Sequence, residues 1–213
     1  MSKNNLILIF LLCSVFVQGQ TSISLKEIIN YPNHVVSLSN SGTYESMDVK
    51  VVNNYPDYRK IKVECGTVFR NHTNSEQNLV VLFRDELTIN GGAQQEIKLT
   101  TACMDAAKSG PSSASNWSVD YDKGIGRLIE YYHTFRPAIS LFTGPEYHET
   151  KDNQTTFLQM AVWTYYKCDK SHIVDFSAKY MFDGDKEAAE QYVEVTYPLI
   201  VVFIENYKLL YDE

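Results

Sequence analysis

Asn78 to Thr101, NLVVLFRDELTINGGAQQEIKLTT, is the stretch on which the fold class turns. Asn78 to Phe83 is a continuous apolar run, the pattern of a strand covered on both faces. Leu87-Thr88-Ile89 leads into Asn90-Gly91-Gly92, the strongest turn signal in the chain. Glu96 to Thr101 then alternates, with Ile97 and Leu99 inward. Asn-Gly between alternating flanks predicts a β-hairpin, because tight hairpin turns need residues that accept positive φ.

Working outward, Tyr58 to Cys65 also alternates: Ile61, Val63 and Cys65 face one way, Lys60, Lys62 and Glu64 the other. Met47 to Val52 is a further short run with β-branched residues, and Gly66 to Phe69 continues the second strand or opens the next. Four to six short strands at this spacing predict an antiparallel Ig-like β-sandwich. After Cys103 the period changes from two to 3.6. Lys108 to Ser118 is small and polar and reads as a loop. Helices are predicted over Gly126–Phe135, ending before Pro137, and over Thr155–Lys167, capped by Thr155 or Thr156. A weaker helical signal covers Ser171–Met181, and a last helix runs from Asp185 to Tyr211, bent or restarted at Pro198. The expected fold is β+α: a sandwich over residues 20–105 packed against a helical part over 106–213.

Residues 1–19 read as a signal peptide. Lys3 supplies the basic end, Leu6 to Phe16 an apolar run too short to span a membrane, and Val17 to Gly19 the cleavage site. Cys13 leaves with it, and a lipobox is a poorer reading because bulky Leu12 precedes that cysteine. No later stretch is long enough to be a transmembrane segment. Secretion or display at the cell surface follows as the expectation. A formal charge of −7 argues against nucleic acid, which needs a clustered positive field. Asn71, Asn116 and Asn153 each open an Asn-x-Ser/Thr sequon, a glycosylation candidate in a eukaryotic host. Cys65, Cys103 and Cys168 remain after cleavage. An oxidising compartment favours a disulfide between two of the three, with the pairing open.

Two segments together resemble a family. Thr101-Ala102-Cys103-Met104-Asp105 ends the β region, and Leu158-Gln159-Met160-Ala161-Val162-Trp163 lies on a predicted helix. They resemble the Cys-aliphatic-Asp and Gln-x-Ala-aliphatic-Trp segments of the thioester (TQxA-type) domains of bacterial surface adhesins. The resemblance implies a β part meeting a helical part, with the Cys103 sulfur joined to the Gln159 side-chain carbonyl and ammonia lost. Such a thioester captures amines on a host surface. Gln159 and Trp163 are four apart on the helix, so the indole lies beside the amide, and Tyr165 and Tyr166 are expected to add aromatic walls to a dry pocket.

The function expected is a secreted or cell-surface adhesion and binding module, with no cofactor, no metal and no catalytic set, facing an extracellular protein or glycan surface. The alternatives are a thioester-domain relative that has lost the bond, and a secreted hydrolase using His148 or Glu149 from the segment GPEYHET. That segment reads by default as a surface loop. Cys168-x3-His172 offers two of the four ligands a structural zinc wants. Asp183 to Glu187 reads as a turn capping a helix rather than a calcium loop.

Overall fold

A computed structural model describes residues 22–73 and 75–211; the expected signal peptide at 1–19, with Cys13, lies outside the described residues. The order along the chain is β1 (Ile23–Ser24), α1 (Leu25–Ile28), β2 (His34–Ser39), β3 (Ser46–Asn53), β4 (Arg59–Val63), β5 (Thr67–Asn71), β6 (Leu79–Val81), β7 (Asp85–Ile89), β8 (Gln94–Cys103) and β9 (Trp117–Tyr121). The helical region follows: α2 (Lys123–Thr143), a 3-10 turn (Pro145–Tyr147), α3 (Lys151–Tyr165), α4 (Lys170–Met181) and α5 (Lys186–Tyr211). The strands form two sheets, β1-β4-β7 and β2-β3-β8-β6-β5-β9. Among the described strands only the β1–β4 pair is parallel.

The alternating strands lie where their pattern put them. Ile61 and Val63 of β4 are buried while Lys62 is exposed, and Leu87 and Ile89 of β7 face the same core. The expected hairpin at Asn90-Gly91-Gly92 is not one. Its flanks join different sheets: β7 pairs with β4, and β8 with β3 and β6. The turn is a corner held by the β3–β4 connection. The Gly92 N–H donates to Asn53 O at 2.8 Å, and buried Asn53 donates its Nδ2 to Ile89 O and Asn90 O, each at 3.3 Å. A Cβ on Gly91 would lie 1.9 Å from Pro56 O, so that glycine serves a tertiary contact rather than a hairpin.

Strand structure also continues past Cys103. Residues 117–121, within and beyond the expected loop, form β9 and close the large sheet against β5 through Phe69↔Val119, with Trp117 buried. The change to helix comes at Asp122, whose Oδ1 accepts from Gly124 N–H at 3.0 Å and Ile125 N–H at 3.1 Å. α2 does not stop before Pro137; it runs on to Thr143. The prolyl ring is exposed, and Ile139 and Thr143 beyond it are buried, so packing of the last turns outweighs the lost helical hydrogen bond. α5 is likewise a single helix with Pro198 inside it. α3 begins one turn earlier than the sequence suggests. Thr150, not Thr155 or Thr156, is its cap, accepting from Asn153 N–H at 3.1 Å.

One cluster of buried side chains joins both sheets and the helices. Trp163, Tyr132, Phe69 and Phe157 are its largest fully buried members. At about 1.5–3 kcal/mol for each large apolar side chain removed from water, it is the main favourable term holding the two regions together. At one point sheet and helix meet backbone on backbone: a Cβ on Gly66, in the β4–β5 turn, would lie 2.5 Å from Gly126 Cα of α2.

Candidate functional site

The large sheet leaves one strand end unpaired, and α3 covers it. β3 pairs with β8 only as far as Ser46↔Thr100. Thr101 N–H still reaches Glu45 O at 2.9 Å, but two residues on, at Cys103, the β3 side has no strand. On the other side β6 remains paired through Leu79↔Cys103. Backbone groups of alternate residues point the same way, so the N–H and C=O of Cys103 face the gap. Gln159 fills it from α3. Its Oε1 accepts from Cys103 N–H at 2.8 Å and its Nε2 donates to Cys103 O at 2.8 Å. A side-chain amide thus completes the ladder as a peptide group would, satisfying two buried backbone groups.

Cys103 and Gln159 are both buried. Burial pushes the Cys103 thiol well above its ordinary pKa, and the charge of Asp105 adds to the shift, so the resting group is the thiol. One turn along α3, Trp163 is fully buried and its indole N–H has no acceptor. The Trp163 ring stands edge-on to Phe176 of α4 at 4.9 Å, and Phe176 meets Tyr44 at 5.1 Å and Tyr180 at 4.3 Å. Burial raises the Tyr44 hydroxyl pKa, and Glu45 and Cys103 contribute in that order.

Tyr165 and Tyr166, expected as walls of this pocket, turn to the start of α2 instead. Tyr166 donates to Asp122 Oδ2 at 2.7 Å, and the Tyr165 hydroxyl lies against Gly124. They stand at i+6 and i+7 from Gln159, which carries them beyond the strand end. The walls that sequence reasoning missed, Tyr44, Phe176 and Tyr180, come from a loop and from the weakly patterned α4. Beside the pair, Glu45, Lys98, Lys151, Asp152, Thr155 and Thr156 help to line a cleft of about 650 Å³. Thr155 is one helical turn from Gln159, about 6 Å along the axis.

Cys65, Cys103 and Cys168 are free thiols here. Cys65 Sγ donates to Leu82 O at 3.5 Å, and burial holds its pKa at about 12. Cys168 Sγ approaches Met104 O at 3.9 Å, next to Cys103 in sequence. Asn116 and Asn153 are exposed, while Asn71 is half-buried and donates its Nδ2 to Glu76 at 2.7 Å. Among the described residues no group of three or more His, Cys, Asp and Glu could hold a metal ion, and no helix is long and apolar enough to cross a membrane.

His148 is not on a surface loop. It is buried between Tyr132 Oη, 2.9 Å from Nδ1, and Thr143 Oγ1, 2.6 Å from Nε2, with its ring edge-on to Phe157 at 4.8 Å. Both nitrogens are occupied by structural partners, and Glu149 is exposed. The imidazoles of His34, His133 and His148 all have pKa values below the ordinary one, burial being the first cause in each. The folded protein therefore favours the neutral rings, while the unfolded chain takes up protons near pH 6.5. This contribution to stability is full above about pH 6.5 and is lost as pH falls through that value towards the folded pKa values. Urea midpoints are expected to drop between pH 7.5 and pH 5.5, and a flat profile across that window would contradict the assignment of neutral buried histidines.

No protein-family model matches the chain, and no curated protein or solved structure matches it either.

Proposed function

We propose that this chain is an extracellular or cell-surface binding module in which Cys103 and Gln159 join as an internal thioester that captures amines. The observation that carries the reading is the two-point pairing of the Gln159 amide with the backbone of Cys103. The pairing brings the amide carbon to the residue that bears the thiol. It also sets the Cys103 N–H on the carbonyl oxygen, where negative charge develops during attack. In the forming step the Cys103 sulfur bonds to Gln159 Cδ. The thiol proton passes to the amide nitrogen, the C–N bond breaks and ammonia leaves. In the capture step a primary amine attacks the same carbon, forms an amide and returns the thiol. The buried N–H of Trp163, one helical turn from Gln159, is a further donor near the pair that the folded chain leaves without an acceptor. Burial keeps water from the acyl group until a nucleophile arrives.

The two sheets, sharing one buried cluster, are read as the layers of an Ig-like sandwich, and residues 1–19 as the leader that sends the chain outward. A bondless relative is the second reading, favoured by the fact that the Gln159 pairing is already a complete structural hydrogen-bond pair. Of the two candidates of the hydrolase reading, His148 is taken up by its contacts with Tyr132 and Thr143, and Glu149 is exposed.

Intact mass separates the first two readings. A thioester makes the mature chain lighter by one ammonia, methylamine then adds as a single adduct on Gln159 that leaves the chain one CH2 heavier than its unbonded form, and Cys103→Ala abolishes both effects. A chain of full mass, with a Cys103 thiol that alkylates after denaturation, would leave only the bondless module.

A further inference from the structure

α2 and α5 run antiparallel at the surface. Tyr207 donates its hydroxyl to Gly124 O at 3.2 Å, and Tyr131 stacks on Phe203 at 5.6 Å. Between them lies an open groove of about 380 Å³, with Phe135 and Phe142 from α2 and Val202, Leu209 and Leu210 from α5 among its lining residues. These side chains are largely in solvent: Leu209 is 84% exposed, Phe142 78%, Leu210 62%, Val202 52% and Phe135 41%. With large aromatic side chains offering roughly 150–250 Å² each and aliphatic ones somewhat less, the five present on the order of 600 Å² of apolar surface. A soluble monomer rarely shows more than about 300–600 Å² in one apolar patch, and a stable complex buries about 800 Å² on each partner.

We propose that this face is a homodimer interface, in which the α2–α5 pair of one copy packs on the α2–α5 pair of a second. An apolar area of about 600 Å² is at the low end of what each partner of a stable complex buries. The shape suits a two-fold contact, which requires a surface complementary to itself. The groove is flanked by its own protruding side chains, Phe142 and Leu209, so each copy inserts what the other receives. Two antiparallel helices laid on two more give a four-helix arrangement, an ordinary way to bury such stripes. A lipid surface is the poorer occupant. Membrane-binding faces carry an excess of Lys and Arg, whereas the charges beside this groove, Arg136, Glu205 and Lys208, are mixed and the chain as a whole is at −7. The inference stands apart from the thioester reading and survives its failure.

Sedimentation velocity on the mature chain, from about 1 to 100 μM, tests it against the micromolar affinity of a modest interface. The expected result is a concentration-dependent dimer. Phe142→Glu and Leu209→Glu, at exposed positions that leave the circular dichroism spectrum unchanged, each raise the dissociation constant at least 100-fold. Val35→Glu, at an exposed position on β2, leaves it unaltered. A wild-type chain that stays monomeric at 100 μM overturns the proposal. So does a dimer that tolerates both glutamates. A monomer that instead sediments with phosphatidylcholine vesicles would assign the face to lipid and overturn it as well.

Discussion

Replacing Gln159 by alanine in a Cys103→Ala background is expected to cost about 3–5 kcal/mol of stability, because it strands two buried backbone groups at about 1–3 kcal/mol each and leaves a cavity. The Cys103→Ala background matters, since no thioester can form there and the comparison isolates the hydrogen bonds. Cys103 N–H and Cys103 O have Gln159 as the partner that fills the bare side of β8, and water does not reach the buried pair. Gln159→Glu in the same background is expected to be nearly as damaging. An ionised carboxylate can still accept from Cys103 N–H but cannot donate to Cys103 O, and it brings a charge into a buried place. Urea denaturation gives both numbers. A loss below about 1 kcal/mol for the alanine variant would mean that the strand end finds other partners and that the pairing is not what docks α3 on β8.

Gly66→Ala is expected to be worse, at about 4 kcal/mol or more, and to reach the point where little folded protein is recovered. Gly66 has φ +86°, where a Cβ alone costs about 1–2 kcal/mol. That Cβ would also lie 2.5 Å from Gly126 Cα, 2.7 Å from Asp122 O and 2.8 Å from Gly126 N. All three are backbone atoms of α2 and its cap, so no side chain can swing aside. Gly42 supplies the control. It has φ +85° but nothing within 4 Å of where a Cβ would sit, so Gly42→Ala is expected to show the conformational cost alone. If the two variants melt at similar temperatures, the sheet–helix contact at Gly66 is softer than its distances imply.

Alternation makes some strands legible where one face of a sheet meets the core, though β2 (His34–Ser39), with its own alternating burial, escapes the reading. Ile61 and Val63 against Lys60, Lys62 and Glu64 can be read in only one way, and β4 follows. β9 was hidden because its buried Trp117 and half-buried Val119 stand among Ser, Asn and Asp of an apparent loop. Asn90-Gly91-Gly92 misled for a different reason. Its turn chemistry is real, but Pro56 and Asn53, from a connection more than thirty positions earlier, decide which strands it joins. No local pattern records that. Pro137 misled because helix propensity is a local quantity, while the burial of Ile139 and Thr143 that outweighs it is not. For Cys103 and Gln159, residue chemistry and the family resemblance named the two positions. That the amide would complete a strand ladder required knowing where β3 ends. Tyr44, Phe176 and Tyr180 converge from separate segments, and nothing in their own neighbourhoods marks them as companions of the thiol.

The strand end completed by a side chain also bears on reversibility. The partners come from β8 and α3, 56 positions apart, so the amide meets the thiol only in a chain whose sheet and helix have already docked. On the thioester reading, a denatured molecule exposes its acyl group to water, and hydrolysis leaves a carboxylate at position 159 and a free thiol at Cys103 where the cross-link had been. On refolding, that carboxylate brings a charge into a buried place, and with no amide nitrogen left to expel the cross-link does not form again. Such a protein would show hysteresis: its second melt would come at a lower temperature than its first, and each molecule would carry a chemical record of ever having unfolded.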